Sequence, residues 1–145
     1  MATMMDLAKK IASGEIEQPP VAKLIGFKLE SISEGTSVMT LEADQRHANP
    51  MGTLHGGILC DISDAAMGIA YASLLGEGES FTTLELKINF LKPIWKASLR
   101  AEAKVVRAGK TIGLVECTIT DQKGDLVARV SSTCMTLRGE QAKGR

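Results

Sequence analysis

"HANPMGTLHGGILCDISDAAMG", residues 47–68, decides how this 145-residue chain is read. The stretch holds both histidines of the protein, and it sets two aspartates, Asp61 and Asp64, inside an otherwise apolar run. Apolar residues at helical spacing continue through "IAYASLL" to Gly76-Glu77-Gly78, whose glycines suit a helix C-terminus. The pattern predicts one long helix over roughly residues 54–75. From Ala65 to Leu75 that helix carries no charge on any face, so it must be covered nearly all round, and a sheet wrapped about it would do so. Asp64 lies two turns past the helix start, too deep to be a cap. Among Ile62, Ala65, Ala66 and Met67 its carboxylate carries a desolvation cost unless it serves a site or a partner.

Working outward, residues 4–12 read as a short amphipathic helix and Pro19-Pro20 breaks the chain. Alternating segments at 27–33 and 36–43 flank Glu34-Gly35 as a hairpin. Beyond the long helix, Leu84, Leu86, Ile88 and Phe90 alternate with Thr83, Glu85, Lys87 and Asn89 in the manner of a half-buried strand. "LRAEAKVV", "TIGLVECTIT" and "LVARVSSTCMTL" follow, turning at Ala108-Gly109-Lys110 and Gln122-Lys123-Gly124, and the four strands are read as a meander. Two strands, one buried helix and four strands make an α+β plan, with the helix lying on, and half enclosed by, an antiparallel sheet. The tail "GEQAKGR" is polar and reads as loose.

Composition removes several classes of function. Seventeen basic and seventeen acidic residues leave no net field for nucleic acid or a membrane surface, and 3% aromatic content argues against stacking platforms. No apolar run reaches the length of about 20 residues that spans a bilayer, and the N-terminus lacks a signal-peptide core. Cys60, Cys117 and Cys134 are odd in number and form no CxxC pair, as expected of reduced core thiols, so a cytoplasmic location is expected. There is no G-x-S-x-G elbow, two histidines eight apart make no zinc site, and "GEGESF" is not a dinucleotide fingerprint.

The opening stretch does contain the parts of a hydrolytic site. His55-Gly56-Gly57 open the helix, where the first N–H groups lack internal partners and the macrodipole is positive, so an oxyanion can be held there. A carboxylate able to activate water, or to attack a carbonyl itself, completes the requirement, and Asp64 is the candidate. Asp61, one turn away, would repel it, and is assigned to structure or helix–helix packing, since the nine-residue spacing from His55 selects Asp64. His47 is read as a surface loop residue, and Met51, Ile58, Met67 and Tyr71 as candidates to face an apolar pocket.

The run "NPMGTLHGG", an acidic residue nine positions after its histidine at Asp64, and the later "LELKINFLKP" and "VVRAGKT" together carry a family likeness. The chain resembles the hotdog-fold acyl-CoA thioesterases, in the group that includes the phenylacetate-degradation and 4-hydroxybenzoyl-CoA enzymes. The likeness implies a hotdog domain over 20–138, an N-terminal helical extension over 1–19 and a flexible tail over 139–145. It implies hydrolysis of an acyl-CoA to a carboxylic acid and free coenzyme A, with no metal and no cofactor beyond the coenzyme A of the substrate. By the same likeness Asp64 is base or nucleophile, Gly56 the oxyanion donor, His55 and Asn49 position and polarise the thioester, and Thr83 orients water. Coenzyme A carries phosphates, so a neutral protein needs placed cations. The likeness puts the turn of Arg107, Gly109, Lys110 and Thr111 near the nucleotide.

Gly56 and Asp64 are eight residues apart, about 12 Å along a helix axis, whereas both must come within about 3 Å of one carbonyl. One helix cannot easily supply both. Two antiparallel copies across a two-fold axis can, so a homodimer with shared sites is expected. The likeness agrees and adds a tetramer built as a dimer of dimers. An acyl dehydratase or hydratase, and a non-catalytic acyl-CoA-binding module, are the alternatives on the same fold.

Overall fold

The computed structural model describes residues 2–145. Helix α1 spans Met4–Ala12 and opens with a capping box in which Thr3 and Asp6 satisfy each other's backbone N–H groups. Pro19-Pro20 ends the first segment, as expected, but it also starts a helix the sequence did not reveal: α2, Pro20–Ile25, with Pro20 in its first turn and Gly26 closing it at φ 100°. Strands β1 (Lys28–Ser33) and β2 (Thr36–Ala43) form the expected hairpin, with Gly35 at φ 75° in its turn.

The long helix, α3, runs Gly56–Ala72, shorter at both ends than the periodicity predicts because His55 caps it and Ser73 closes it. Strands β3 (Ser80–Phe90), β4 (Ala97–Ala108), β5 (Ile112–Thr120) and β6 (Leu126–Leu137) complete a single antiparallel sheet in the order β1-β2-β4-β5-β6-β3. The expected four-strand meander is therefore wrong in one strand. β4, β5 and β6 do meander, but β3 pairs with β6 at the far edge and not with β4. A strand's own residues give its period, not its neighbour, and β3 finds its partner some fifty residues later in the chain.

The sheet curls around α3, burying Ile62, Ala66, Met67, Ala70 and Tyr71 to 1% exposure or less. Ser37 donates its hydroxyl to Ala66 O at 2.5 Å and so stitches β2 to the helix. Met67 and Tyr71 belong to this core, which removes them as pocket residues. Ile58 is half-buried and Met51 fully outside, at 78% exposure. α1 lies against β1 and α3, over a flank of the helix that the sheet leaves open. The C-terminal tail makes one exposed 3-10 turn at Gly139–Ala142.

Candidate active site

The entrance of α3 explains its glycines. His55 folds back so that Nδ1 accepts the N–H of Gly57 at 2.9 Å, an imidazole acting as the N-cap. A Cβ on Gly57 would stand 2.9 Å from that nitrogen, so the cap needs glycine there. A Cβ on Gly56 would meet the ring of Phe90 at 2.8 Å, so Phe90 packs directly over the helix start. Of the first two amides, Gly57's is used by His55, while Gly56 N–H has no acceptor among the described residues. Gly56 is thus the open donor at the positive end of a 17-residue helix.

Asn49 anchors the loop before that entrance. Its Oδ1 accepts from the N–H of Met51 at 2.9 Å and of Thr53 at 3.2 Å, and its Nδ2 donates to Thr53 Oγ1 at 2.8 Å. The carboxamide is chiefly a turn former, with one amide proton left over. Asn49 and Gly56 line one hollow of ≈ 430 Å³, bounded on its other side by Phe90, Leu91 and Pro93. His47, expected on the surface, is buried at 6% exposure. Its Nε2 donates to Ile25 O at 2.7 Å and its Nδ1 accepts from Asp44 N–H at 3.2 Å, so it ties the loop to the end of α2. A lone histidine in a polar stretch gives no sign of such a tie.

Asp64 sits elsewhere. Thr83 on β3 donates its hydroxyl to Asp64 Oδ1 at 3.0 Å, joining edge strand to helix. A β-bulge makes this possible: the register between β3 and β6 shifts between Thr83 and Glu85, leaving Leu84 as the extra residue. Before the bulge Phe81 and Thr83 face the helix, and after it Leu86 and Ile88 do, while Leu84 is turned out at 54% exposure. The simple alternation read from Leu84 to Phe90 is corrected accordingly.

Asp64 and Thr83 stand at a second hollow, ≈ 230 Å³ and otherwise apolar but for Gln18. Its floor is the open flank of α3 (Ala65, Gly68, Ile69), one wall is Phe81 with Thr83, and the opposite wall is Leu29 and Met39 with Ile11, Gln18, Pro19 and Val21. The curled sheet brings its two edges, β1 and β3, to opposite sides of this slot. Sequence reasoning missed the wall of residues 11–22, because a wall built by tertiary packing leaves only an amphipathic pattern in the sequence.

The two carboxylates differ. At the exposed position of Asp61, partial desolvation first, and then the charge of Asp64, push the carboxyl above its ordinary value, partly offset by His55. Asp61 has no hydrogen-bonding group to hold its charge among the described residues, whereas Asp64 has Thr83. The three thiols are all held above their ordinary value. Burial raises Cys60 and Cys134, the neighbouring aspartates raise Cys60 further, and burial pushes Cys117 up to about 12.

The turn of Arg107, Gly109, Lys110 and Thr111 is braced. Gly109 N–H donates to Ile112 O at 2.8 Å, Thr111 O accepts from Thr136 N–H at 2.7 Å, and Arg138 reaches Lys110 O at 2.7 Å. The side chains of Arg107 and Lys110 are exposed and have no ion-pair partner among the described residues. Gly113, just past the turn, pairs with Cys134, which pairs in turn with Thr83. Two strand spacings, about 10 Å, therefore separate the base of this turn from the Asp64–Thr83 pair. One chain brings Asp64, Thr83 and the basic turn to one region and keeps Asn49, His55 and Gly56 at another.

The family model described as "Thioesterase superfamily" matches residues 51–128, from the loop before α3 into β6. The acyl-coenzyme A thioesterase PaaI of Escherichia coli K12 is 30% identical over 113 residues, covering 77% of this chain and 79% of that one. A Saccharolobus solfataricus protein classed among esterases is 33% identical over 124 residues, 85% of this chain and 88% of that one. Among solved structures, PaaI from the phenylacetic acid degradation operon of E. coli superposes with a TM-score of 0.82 at 27% identity, covering 94% of this chain and 98% of its own. This chain belongs to the thioesterase superfamily and is a hotdog-fold thioester hydrolase.

Proposed function

We propose that the protein hydrolyses acyl-CoA thioesters to a carboxylic acid and free coenzyme A, and that Asp64 is the general base. The observation that carries this reading is the Asp64–Thr83 pair at the mouth of an apolar slot. While its O–H donates a hydrogen bond to Asp64 Oδ1, the Thr83 oxygen keeps lone pairs that accept a hydrogen bond from a water, whose other hydrogen is bonded by Asp64 Oδ2. The water oxygen then bonds to the thioester carbon and its proton passes to Asp64. Collapse of the oxyanion breaks the C–S bond, and the proton returns to the departing thiolate. Carboxylate, water and a backbone donor balance the reaction without metal or redox cofactor.

The oxyanion is met by Gly56 N–H of a second copy, with His55 and Asn49 shaping that entrance. The separation of the two half-sites along α3 supports a homodimer, and so does β3, which is paired on one side only and exposes Leu84 and Phe90. Two dimers then form the tetramer. Arg107, Lys110, Thr111 and the backbone of Gly109 receive the phosphates of the nucleotide. The three free thiols suit a reducing cytoplasm.

Thiol release from a panel of acyl-CoAs, read with a thiol reagent, tests the reading. Release that wild type gives, unaffected by EDTA, and that Asp64→Asn lacks supports it. Tight binding of acyl-CoA with no release would instead make the chain a binding module, and water addition to an enoyl-CoA a hydratase.

A further inference from the structure

A prop for the oxyanion half-site lies outside the groups that the proposed mechanism uses. Between Phe90 and Ala97 the chain passes the start of α3 without regular structure. Leu91 and Lys92 N–H donate to Val127 O at 2.9 and 3.2 Å, and Ile94 O accepts the N–H of Leu54 at 2.6 Å. Among the described residues, the one polar side chain that tethers residues 91–96 is Lys92, whose Nζ donates to Asp121 Oδ2 at 2.5 Å and to Asp125 Oδ2 at 2.7 Å. Its receptor is built to keep it. The Asp121 side chain is 4% exposed, and its Oδ1 accepts the N–H groups of Lys123 and Asp125 at 3.0 Å each, so the β5–β6 turn presents Oδ2 to the ammonium. Without Lys92 a carboxylate this deep would be left short of charge compensation.

Only Pro93 separates Lys92 from Ile94, and its ring fixes φ, so the chain from the anchored lysine to the Ile94 carbonyl is a stiff arm. That carbonyl holds Leu54, two residues before Gly56, and Lys92, Pro93 and Ile94 line the same hollow as Asn49 and Gly56. We infer that Lys92 is a positioning residue for the oxyanion hole: its ion pairs with Asp121 and Asp125 fix the Ile94 carbonyl, and through Leu54 the open N–H of Gly56. This rests on Gly56 being the oxyanion donor. Such a donor works only at hydrogen-bond distance from the developing charge, and a misplacement of about 1 Å can cost about 10²-fold.

The test replaces Lys92 by methionine, which keeps the stem and loses the charge. Lys92→Met is expected to lower kcat by about tenfold or more with KM for acyl-CoA held, and by the same factor on a short thioester without the nucleotide. Lys96→Met, in the same loop but without a tether among the described residues, should leave both constants unchanged. Mixed dimers then separate positioning from a general loss of structure. Asp64→Ala and Asn49→Ala/His55→Ala chains rebuild one site per mixed dimer, with Gly56 from the first and Asp64 from the second. Lys92→Met added to the Asp64→Ala chain should lower that activity about tenfold, and added to the other chain should leave it as it was. An unchanged kcat, a loss confined to acyl-CoA, or equal losses in the two arrangements would overturn the assignment while leaving thioester hydrolysis intact. If Lys92→Met fails to fold, Asp121→Asn, which keeps Oδ1 for the turn and points an amide at the ammonium, takes its place in every arm with the same expected pattern. If the mixed dimers regain nothing even with Lys92 intact, the shared-site reading falls, and kcat against KM on the two substrates decides the role of Lys92. Should wild type release no thiol from either substrate, the hydrolase reading falls and the role of Lys92 falls with it.

Discussion

Thr83 holds Asp64 from a different element: the hydroxyl on an edge strand and the carboxylate on the central helix meet at 3.0 Å, nineteen residues apart in the chain. A carboxylate fixed in this way keeps one oxygen occupied and the other free.

That relationship makes the two residues a unit. Asp64→Asn should lower kcat by at least about 10²-fold with little change in KM, since the amide fills the same space but cannot take a proton. Thr83→Val should lower kcat by about tenfold on its own, the size of one charge-assisted hydrogen bond. Added to Asp64→Asn it should cost almost nothing further. Additive losses in the double variant would show that Thr83 works apart from Asp64.

The basic turn should report on the nucleotide alone. Arg107→Ala and Lys110→Ala are expected to raise KM for acyl-CoA, by less as salt is added, and to leave hydrolysis of a short thioester without the nucleotide nearly as it was. Equal losses on both substrates would place the nucleotide elsewhere.

Shared sites predict complementation. Asn49→Ala/His55→Ala and Asp64→Ala proteins, each inactive, are unfolded and refolded together. Random pairing makes half the dimers mixed, each with one intact site, so about a quarter of wild-type activity should return. A mixture still inactive although mass measurement finds mixed dimers would mean that each chain builds its own site.

Asp61 offers a pH test whose sign is fixed by geometry. Partial desolvation and the charge of Asp64 raise its carboxyl above the ordinary 3.8. A carboxyl raised by folding favours the native state below its ordinary value, and that favour is lost as pH climbs through the raised value. Asp61→Asn should therefore raise the melting temperature relative to wild type at pH 7, with the gain shrinking toward pH 3.5. A gain that grows on acidification would contradict the desolvation argument.

The sequence carried the local features and lost the long-range ones. The uncharged span from Ala65 to Leu75 announced a wrapped helix, and Glu34-Gly35 its hairpin, because both depend on residues close together in the chain. The pairing of β3 with β6 and the bulge at Leu84 depend on a distant partner, so no local period revealed them. Family likeness named Asp64 and Thr83, and the fold brings them into contact. Likeness gave no hint of Gln18, whose neighbours in the chain say nothing of the slot it reaches. His47 was misplaced for the same reason, since its partner carbonyl at Ile25 comes from a helix that two prolines concealed.

The register of β3 also governs the order in which the protein becomes active as it folds. Thr83 is held in place by Cys134 on β6, fifty-one residues further on, so Asp64 acquires its hydroxyl partner only when the long β3–β6 loop has closed. Closures of that kind are slow relative to helix formation. A refolding chain should regain its helical signal first and its catalytic turnover last. A ribosome-bound chain that has not yet released β6 carries Asp64 without Thr83 fixed beside it.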